Sequence, residues 1–308
     1  MSYSIIHHNS NLTPVSNLMI SATNRFLIET KRDKAETTYN TYKAKIKVFN
    51  SFIESFSMSQ DMRADLKAFR SWLTDRYTSA STINLTLSVV RQFYRSLHER
   101  GVIEYDPTVV LKNVTDTDSV KRSAISREQF YQIATALRED RSINAPRNRA
   151  LFLLLCMNGL RVSEASTANI EDIEIDRGRR VLFLKRKGYE EKSNYVILQD
   201  KTYEVLRDLI GERKAGAIFI SYRTKEAMTG NDLSRIIKTV FRKCNIDSKK
   251  ITAHSLRHSY AIFALEGKAD LLSVSHSMNH KNLSTTQRYL RSYNRMVNSA
   301  EDAVSLDF

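Results

Sequence analysis

Arg161, Lys187, His254, Arg257, His280 and Tyr289 follow one another along the C-terminal part of the chain, in the segments GLRVSE, LKRKG, HSLRH and HKNLSTTQRY. Their side chains suit the handling of a phosphoryl group. Arg161 comes just after Asn158 and Gly159, residues that can end a helix in a left-handed turn, and Ser163 can cap the helix that follows. In so tight a corner a guanidinium either satisfies nearby carbonyls or offers a rigid fork to two oxygens of a phosphate. His254 and Arg257 stand three apart near a helix start, which puts both on one face beside the helix's positive end. An anion arriving there would relieve the repulsion. Ser284 and Gln287 form a capping-box pattern, so a helix is expected to begin there and to carry Tyr289 in its second turn. Each residue also has a plainer reading. Tyr289 is one of fourteen tyrosines and suits a core, while Lys187 ends a run of three basic residues that could guard an exposed hairpin edge.

Three prolines and eight glycines leave long helices unbroken almost everywhere, so the fold is expected to be mainly α with a small antiparallel β-hairpin. Helical stripes run through Tyr39, Tyr42, Ile46, Phe49 and Ile53, through Leu66, Phe69, Trp72 and Leu73, and through Ile83, Leu87, Val90, Phe93 and Leu97. Gly101 is placed to cap the last of these. Basic residues flank two of the stripes, making Lys43, Lys47, Arg91 and Arg95 candidates for contacts with a polyanion; a solvated helix face is the alternative. Residues 1–20 read as a flexible lead, 21–112 as an all-α domain, 113–124 as a linker and 125–308 as a second domain. That domain should open with helices around Glu128–Leu137 and Arg149–Met157, followed by a hairpin of Val181–Lys187 with Tyr195–Leu198. Helical stripes then resume through Leu206, Leu209 and Ile210, through Leu233, Ile236, Ile237 and Val240, and across His254–Leu265.

Basic residues outnumber acidic ones by 48 to 34, a formal charge of +14, and the excess lies mainly beyond Val120. Such a balance favours nucleic acid or another polyanionic surface. Two cysteines, Cys156 and Cys244, make neither a disulfide framework nor a metal pair, which suits a reducing, cytoplasmic setting. The first residues lack the pattern of a secretory signal. The longest apolar run, Ala150–Met157, falls far short of the ~20 residues that a bilayer span needs, so no membrane role is expected.

Taken in order, the motifs resemble those of the tyrosine recombinase (phage integrase) family, and STINLTLSVVRQFYRSLHERGVIEYDP is similar to the end of that family's core-binding domain. The resemblance implies an all-α SAM-like core-binding domain joined to a tyrosine-recombinase catalytic domain, in a two-domain arrangement without an arm-binding domain. It implies that Arg161 and Arg257 clamp a phosphate, Lys187 serves as acid, His254 and His280 complete the pocket, Glu164 supports it and Tyr289 is the nucleophile. His280 keeps the family's spacing to Tyr289. Two departures stand out: Met278-Asn279-His280 replaces the usual Leu-Gly-His, and a longer hairpin loop leaves Lys192 as a substitute for Lys187. Asn can take a left-handed turn in place of Gly, so the geometry is expected to survive.

On this resemblance the chain is a site-specific recombinase that cleaves and rejoins strands of double-stranded DNA at paired sites through a 3′-phosphotyrosine intermediate. No cofactor or metal is implied, since no metal cluster or glycine-rich phosphate loop is present. The implied partners are DNA, three further copies of the chain in a homo-tetramer, and accessory DNA-bending or directionality proteins. The tail MVNSAEDAVSLDF, with Val304, Leu306 and Phe308, is available for docking on a neighbour or on its own subunit. Two other functions fit parts of the pattern: a type IB topoisomerase-like nicking and resealing enzyme, and a DNA-binding regulator with a vestigial pocket.

Overall fold

The computed structural model describes residues 13–56, 58–59, 61–115, 123–184, 194–246 and 250–279. They fall into two compact units, Met1–Ser119 and Val120–Phe308.

The first unit is a bundle of four helices, α1 (Pro14–Asp33), α2 (Glu36–Ser55), α3 (Met62–Arg76) and α4 (Ala80–Glu99). Three begin at side chains that accept from orphan backbone N–H groups: Thr13 for α1, Asp61 for α3 and Ser79 for α4. The flexible lead expected through residue 20 is therefore too long. Pro14 suits the first helical position, and Val15, Met19, Ala22 and Phe26 repeat at helical spacing to pack on the core. Gly101, at φ +65°, closes α4. Its N–H donates to the His98 carbonyl while that of Val102 donates to Leu97, the paired bonds of a Schellman cap.

The core of this unit is aromatic. Phe49 is fully buried and meets Phe69 edge-on at 4.9 Å between ring centroids, with Phe52, Phe93 and Tyr94 within 6.5 Å. Edge-to-face packing of this kind adds to the burial of ring area. Beyond α4 the chain forms a 3₁₀ turn at Pro107–Val110 and lays residues 111–114 across the bundle, with Leu111 buried. Lys112, Asn113 and Val114 are bonded to α3 and α4, although Asn113 and Val114 were expected in the linker.

The second unit is built around α6 (Ala145–Met157), which packs against α5 (Arg127–Glu139), α8 (Asp200–Ile210), α9 (Gly230–Lys243) and α10 (Ala253–Glu266). Because α6 is enclosed from several sides its sequence is apolar around most of its circumference, and Ala150, Leu151, Phe152, Leu154, Leu155 and Cys156 are all buried. Two short helices, α7 (Val162–Ser166) and α11 (Leu271–Ser277), complete the helical part.

A three-stranded antiparallel sheet lies beside it, in the order β1 (Ile173–Asp176), β2 (Arg179–Leu184), β3 (Asn194–Ile197). The expected hairpin corresponds to β2 and β3, paired Val181 with Ile197 and Leu184 with Asn194. Strand β1 was not expected. It joins β2 through Arg177 and Gly178, both at positive φ, the mark of a two-residue type I′ turn. Among the described residues no helix is long and apolar enough to cross a membrane.

Replacing Phe49 by Ala should remove the centre of the aromatic cluster and cost the first unit about 3–5 kcal/mol. Urea unfolding followed by the fluorescence of Trp72, the chain's one tryptophan, reads this unit directly.

Candidate active site

The site begins where α6 ends. Asn158 donates from Nδ2 to the Ile197 carbonyl at 2.7 Å, tying the helix end to β3. Gly159 then takes φ +66°, and a Cβ there would fall 2.4 Å from the Tyr260 ring. The turn so made brings Arg161 to the N-cap of α7. Ser163 does not cap this helix as the sequence suggested. Glu164 reaches back instead, Oε2 accepting from the Arg161 backbone N–H at 2.7 Å and Oε1 from its Nη1 at 2.6 Å.

Arg257 enters the same cluster from α10. It is 2% exposed and lies among the largest fully buried side chains. Its Nη1 donates to the Gly159 carbonyl and stands 3.6 Å from Glu164 Oε2, while Nη2 donates to the Met278 carbonyl. Both carbonyls sit at the C-terminal ends of helices, α6 and α11, where the backbone dipoles concentrate negative charge. Burial of a cation needs such partners, because a guanidinium removed from water without them is strongly destabilising.

Asn279 follows at φ +49°, the left-handed turn expected of it, its N–H donating to the His276 carbonyl at 2.8 Å. Its carbonyl lies 3.5 Å from Arg161 Nη2, a long contact that brings the peptide preceding His280 to the cluster. The three residues Arg161, Glu164 and Arg257 are thus brought together by three stretches of chain: residues 159–164, α10 and the end of α11. They carry two guanidinium charges against one carboxylate. Arg161 keeps a side chain 37% exposed, so the surplus charge faces outward there. His254 stands exposed in the first turn of α10, three residues ahead of the inward-turned Arg257. Lys187, Lys192, His280, Tyr289 and the tail lie outside the described residues.

Sequence reasoning passed over the Gly159 and Met278 carbonyls, which hold Arg257. A carbonyl acceptor leaves no mark on residue type; the glycine and the turn at Asn279 are the only hints. Cys156, buried in α6, has its thiol pushed up to about 12 by desolvation, which leaves it inert at neutral pH. Among the described residues no cluster of His, Cys, Asp and Glu could hold a metal ion.

Of the four basic residues proposed on the first unit, Lys43, Lys47 and Arg95 are exposed. Arg91 is a correction. Its Nη2 donates to the Leu111 carbonyl and, at 2.9 Å, to Asn113 Oδ1, and its half-burial lowers the guanidinium pKa. It is spent on its own domain.

Residues 123–296 match the phage integrase family, and residues 25–104 match the phage integrase N-terminal SAM-like domain. Over 275 residues the chain is 28% identical to tyrosine recombinase XerD of Staphylococcus saprophyticus, covering 85% of this chain and 90% of the relative. It is 29% identical over 282 residues to tyrosine recombinase XerC of Halalkalibacterium halodurans, with 86% and 90% covered. The fold is similar to that of XerH site-specific recombinase bound to palindromic difH substrate, with a TM-score of 0.73, 18% identity, and 96% and 90% of the two chains covered. A lambda integrase (75–356) dimer bound to a COC′ core site gives 0.70 at 17% identity, covering 87% of this chain and 96% of that one.

Two substitutions test the cluster. Gly159→Ala forces a Cβ into the Tyr260 ring at positive φ and should lower stability by about 1–3 kcal/mol. Glu164→Gln leaves two guanidinium groups without their carboxylate and should cost roughly 3–5 kcal/mol, because one of them is buried. Both are read from calorimetric unfolding of the second unit's transition. A Glu164→Gln protein as stable as the parent would mean that the carbonyls alone hold Arg257.

Proposed function

The chain belongs to the phage integrase family, and we propose that it breaks and rejoins DNA strands at specific sites through a covalent bond between Tyr289 and a DNA 3′-phosphate. The observation that carries this reading is the Arg161–Glu164–Arg257 cluster, whose two cations exceed its one carboxylate and so favour an anion at the exposed Arg161 edge. A phosphodiester in transfer builds negative charge on its non-bridging oxygens, and rigid guanidinium groups stabilise it without reorganising. Arg161 and Arg257 take that role, and Glu164 fixes their positions.

Tyr289 Oη attacks the phosphorus while His254 accepts its proton. The bond from phosphorus to the 5′-oxygen breaks, and Lys187 protonates that oxygen as it leaves. His280 completes the pocket. A free phenol, with a pKa of ~10, is almost wholly protonated at neutral pH, which is why a base is needed. Rejoining reverses each step: a 5′-hydroxyl attacks the same phosphorus, and the tyrosine oxygen leaves with a proton. The phosphotyrosine bond conserves the energy of the one broken, so the chemistry calls for no nucleotide cofactor.

On this reading the substrate is double-stranded DNA carrying paired sites, with Lys43, Lys47 and Arg95 of the first unit on its backbone. Four copies of the chain assemble on the paired sites, linked through Val304, Leu306 and Phe308 of the tail, and accessory proteins set direction. The work is done in the cytoplasm.

Tyr289→Phe should keep DNA affinity within about twofold and form no covalent adduct on a nicked site, since only the nucleophilic oxygen is lost. An adduct in that variant would move the nucleophile elsewhere. Lys187→Ala should slow cleavage of an ordinary 5′-oxygen by roughly 10²–10⁴-fold yet leave a 5′-phosphorothiolate nearly unaffected, because sulfur leaves without a proton. Equal losses on both substrates would pass the role to another residue, and Lys192→Ala in the same assay tests the first alternative.

A further inference from the structure

Residues 112–114 are held along the first unit by side chains from two helices. From α4, Asn84 pairs with Val114 on both sides of its peptide group: Oδ1 accepts from the Val114 N–H at 2.8 Å, and Nδ2 donates to its carbonyl at 2.9 Å. Arg91, two turns further along α4, donates to the Leu111 carbonyl and to Asn113. From α3, Arg70 Nε donates to the Lys112 carbonyl at 2.9 Å. Such side-chain bonds satisfy backbone groups that neither helix nor sheet provides for. At the far side of the junction the Ser123 N–H donates to the Lys250 carbonyl at 3.1 Å and that of Ile125 to Ser259 Oγ at 2.8 Å, fixing the chain to the second unit.

We propose that Arg70, Asn84 and Arg91 are positioning residues that set the length of the tether between the two units by strapping residues 112–114 to the first. Resting on the reading that both units hold one DNA, this makes the strap a determinant of how far apart they can grip it. With the strap in place, covalent geometry allows about nine Cα-to-Cα steps from Val114 to Ser123, or roughly 30 Å when fully extended. Leu111 is buried and stays anchored when the strap opens. Release therefore adds three residues, or about 10 Å of reach. Loop-closure entropy changes little over such a range, so reach, rather than flexibility, is what the strap controls.

The experiment uses the full chain carrying Arg70→Ala, Asn84→Ala and Arg91→Ala together as the strap variant, a deletion of Thr117–Ser119, and the two combined. Trypsin reports on the strap without DNA, since Lys112 exposes its side chain while its carbonyl is held. Cleavage after Lys112 should rise at least about tenfold in the strap variant relative to cleavage after Lys121 and Arg122, by the usual dependence of proteolysis on local opening. Circular dichroism is expected to show an unchanged helical content; should the strap variant fail to fold, Asn84→Asp, which keeps the acceptor and loses the donor, gives a graded version.

The deletion leaves six steps and should impair covalent-adduct formation on a nicked site at least about tenfold. Opening the strap restores nine steps, so the combined variant should recover most of that loss. A merely structural role predicts the reverse, with the combined variant worse than the deletion alone. No suppression, or a deletion without effect, overturns the proposal. Failure of the proposed function itself is distinguishable: the parent chain would then form no adduct either, while the trypsin result stood.

Discussion

The buried charge of Arg257 is the constraint on which the catalytic unit depends. A guanidinium 2% exposed is tolerable only when carboxylate and carbonyl oxygens surround it, and here these come from three different places: Glu164 in α7, Gly159 after α6 and Met278 after α11. Bringing them to one point fixes the turn at Gly159, the short helix that follows it and the approach of the segment leading to His280. The hydrophobic contacts around α6 supply most of the driving force, but they do not specify these turns. A burial requirement with directional bonds does, since a shift of an ångström in any of the three segments would leave a cation short of partners.

The same requirement explains the division between the two arginines. Arg257, enclosed and bonded to backbone, cannot swing; Arg161, bonded through one side of its guanidinium to Glu164, keeps part of its surface open. On the proposed function, one side chain would supply a fixed field and the other a place for an anion to touch. Glu164 serves both, lowering the mutual repulsion of the pair enough for the fold to close, yet its single charge leaves a surplus. Complete neutralisation would give a more stable domain with no electrostatic reason to take a phosphate, whereas a surplus costs stability that the binding of an anion would recover.

The sequence was informative where local pattern decides structure. The stripes ending at Ile53, Leu73 and Leu97 became α2, α3 and α4, Gly101 and Asn279 took the left-handed turns open to those residue types, and the two segments rich in Val, Leu, Ile and Tyr became β2 and β3. It was uninformative where structure rests on acceptors or on edges. Strand β1 reads IEID, an alternation only four residues long, and its burial does not follow the pattern, since Ile175 is 73% exposed. The start of α1 was hidden among polar residues even though Val15, Met19, Ala22 and Phe26 kept the helical period. The motifs drew attention to Arg161, Glu164 and Arg257, which the fold brings together, but only the structure gave the carbonyls that hold Arg257 and the bonds that withdraw Arg91 from the surface.

That withdrawal bears on how a basic protein is read. A charge of +14 suggests fourteen cations in surplus on the surface, yet many arginines here are spent on backbone carbonyls. Arg213 bonds those of Ile210, Ala217 and Ile218; Arg70 bonds that of Lys112; Arg91 bonds that of Leu111; Arg257 bonds two. A planar guanidinium with five donors suits this work, and the compact ammonium of lysine does not. Lys43 and Lys47 remain exposed on α2. The net charge still draws the molecule toward a polyanion from a distance, but contact falls to the cations that stay exposed, arginines such as Arg95 as well as lysines. Those contacts would position a DNA backbone without reading its bases, so sequence choice must arise from groups other than the ones that composition makes conspicuous.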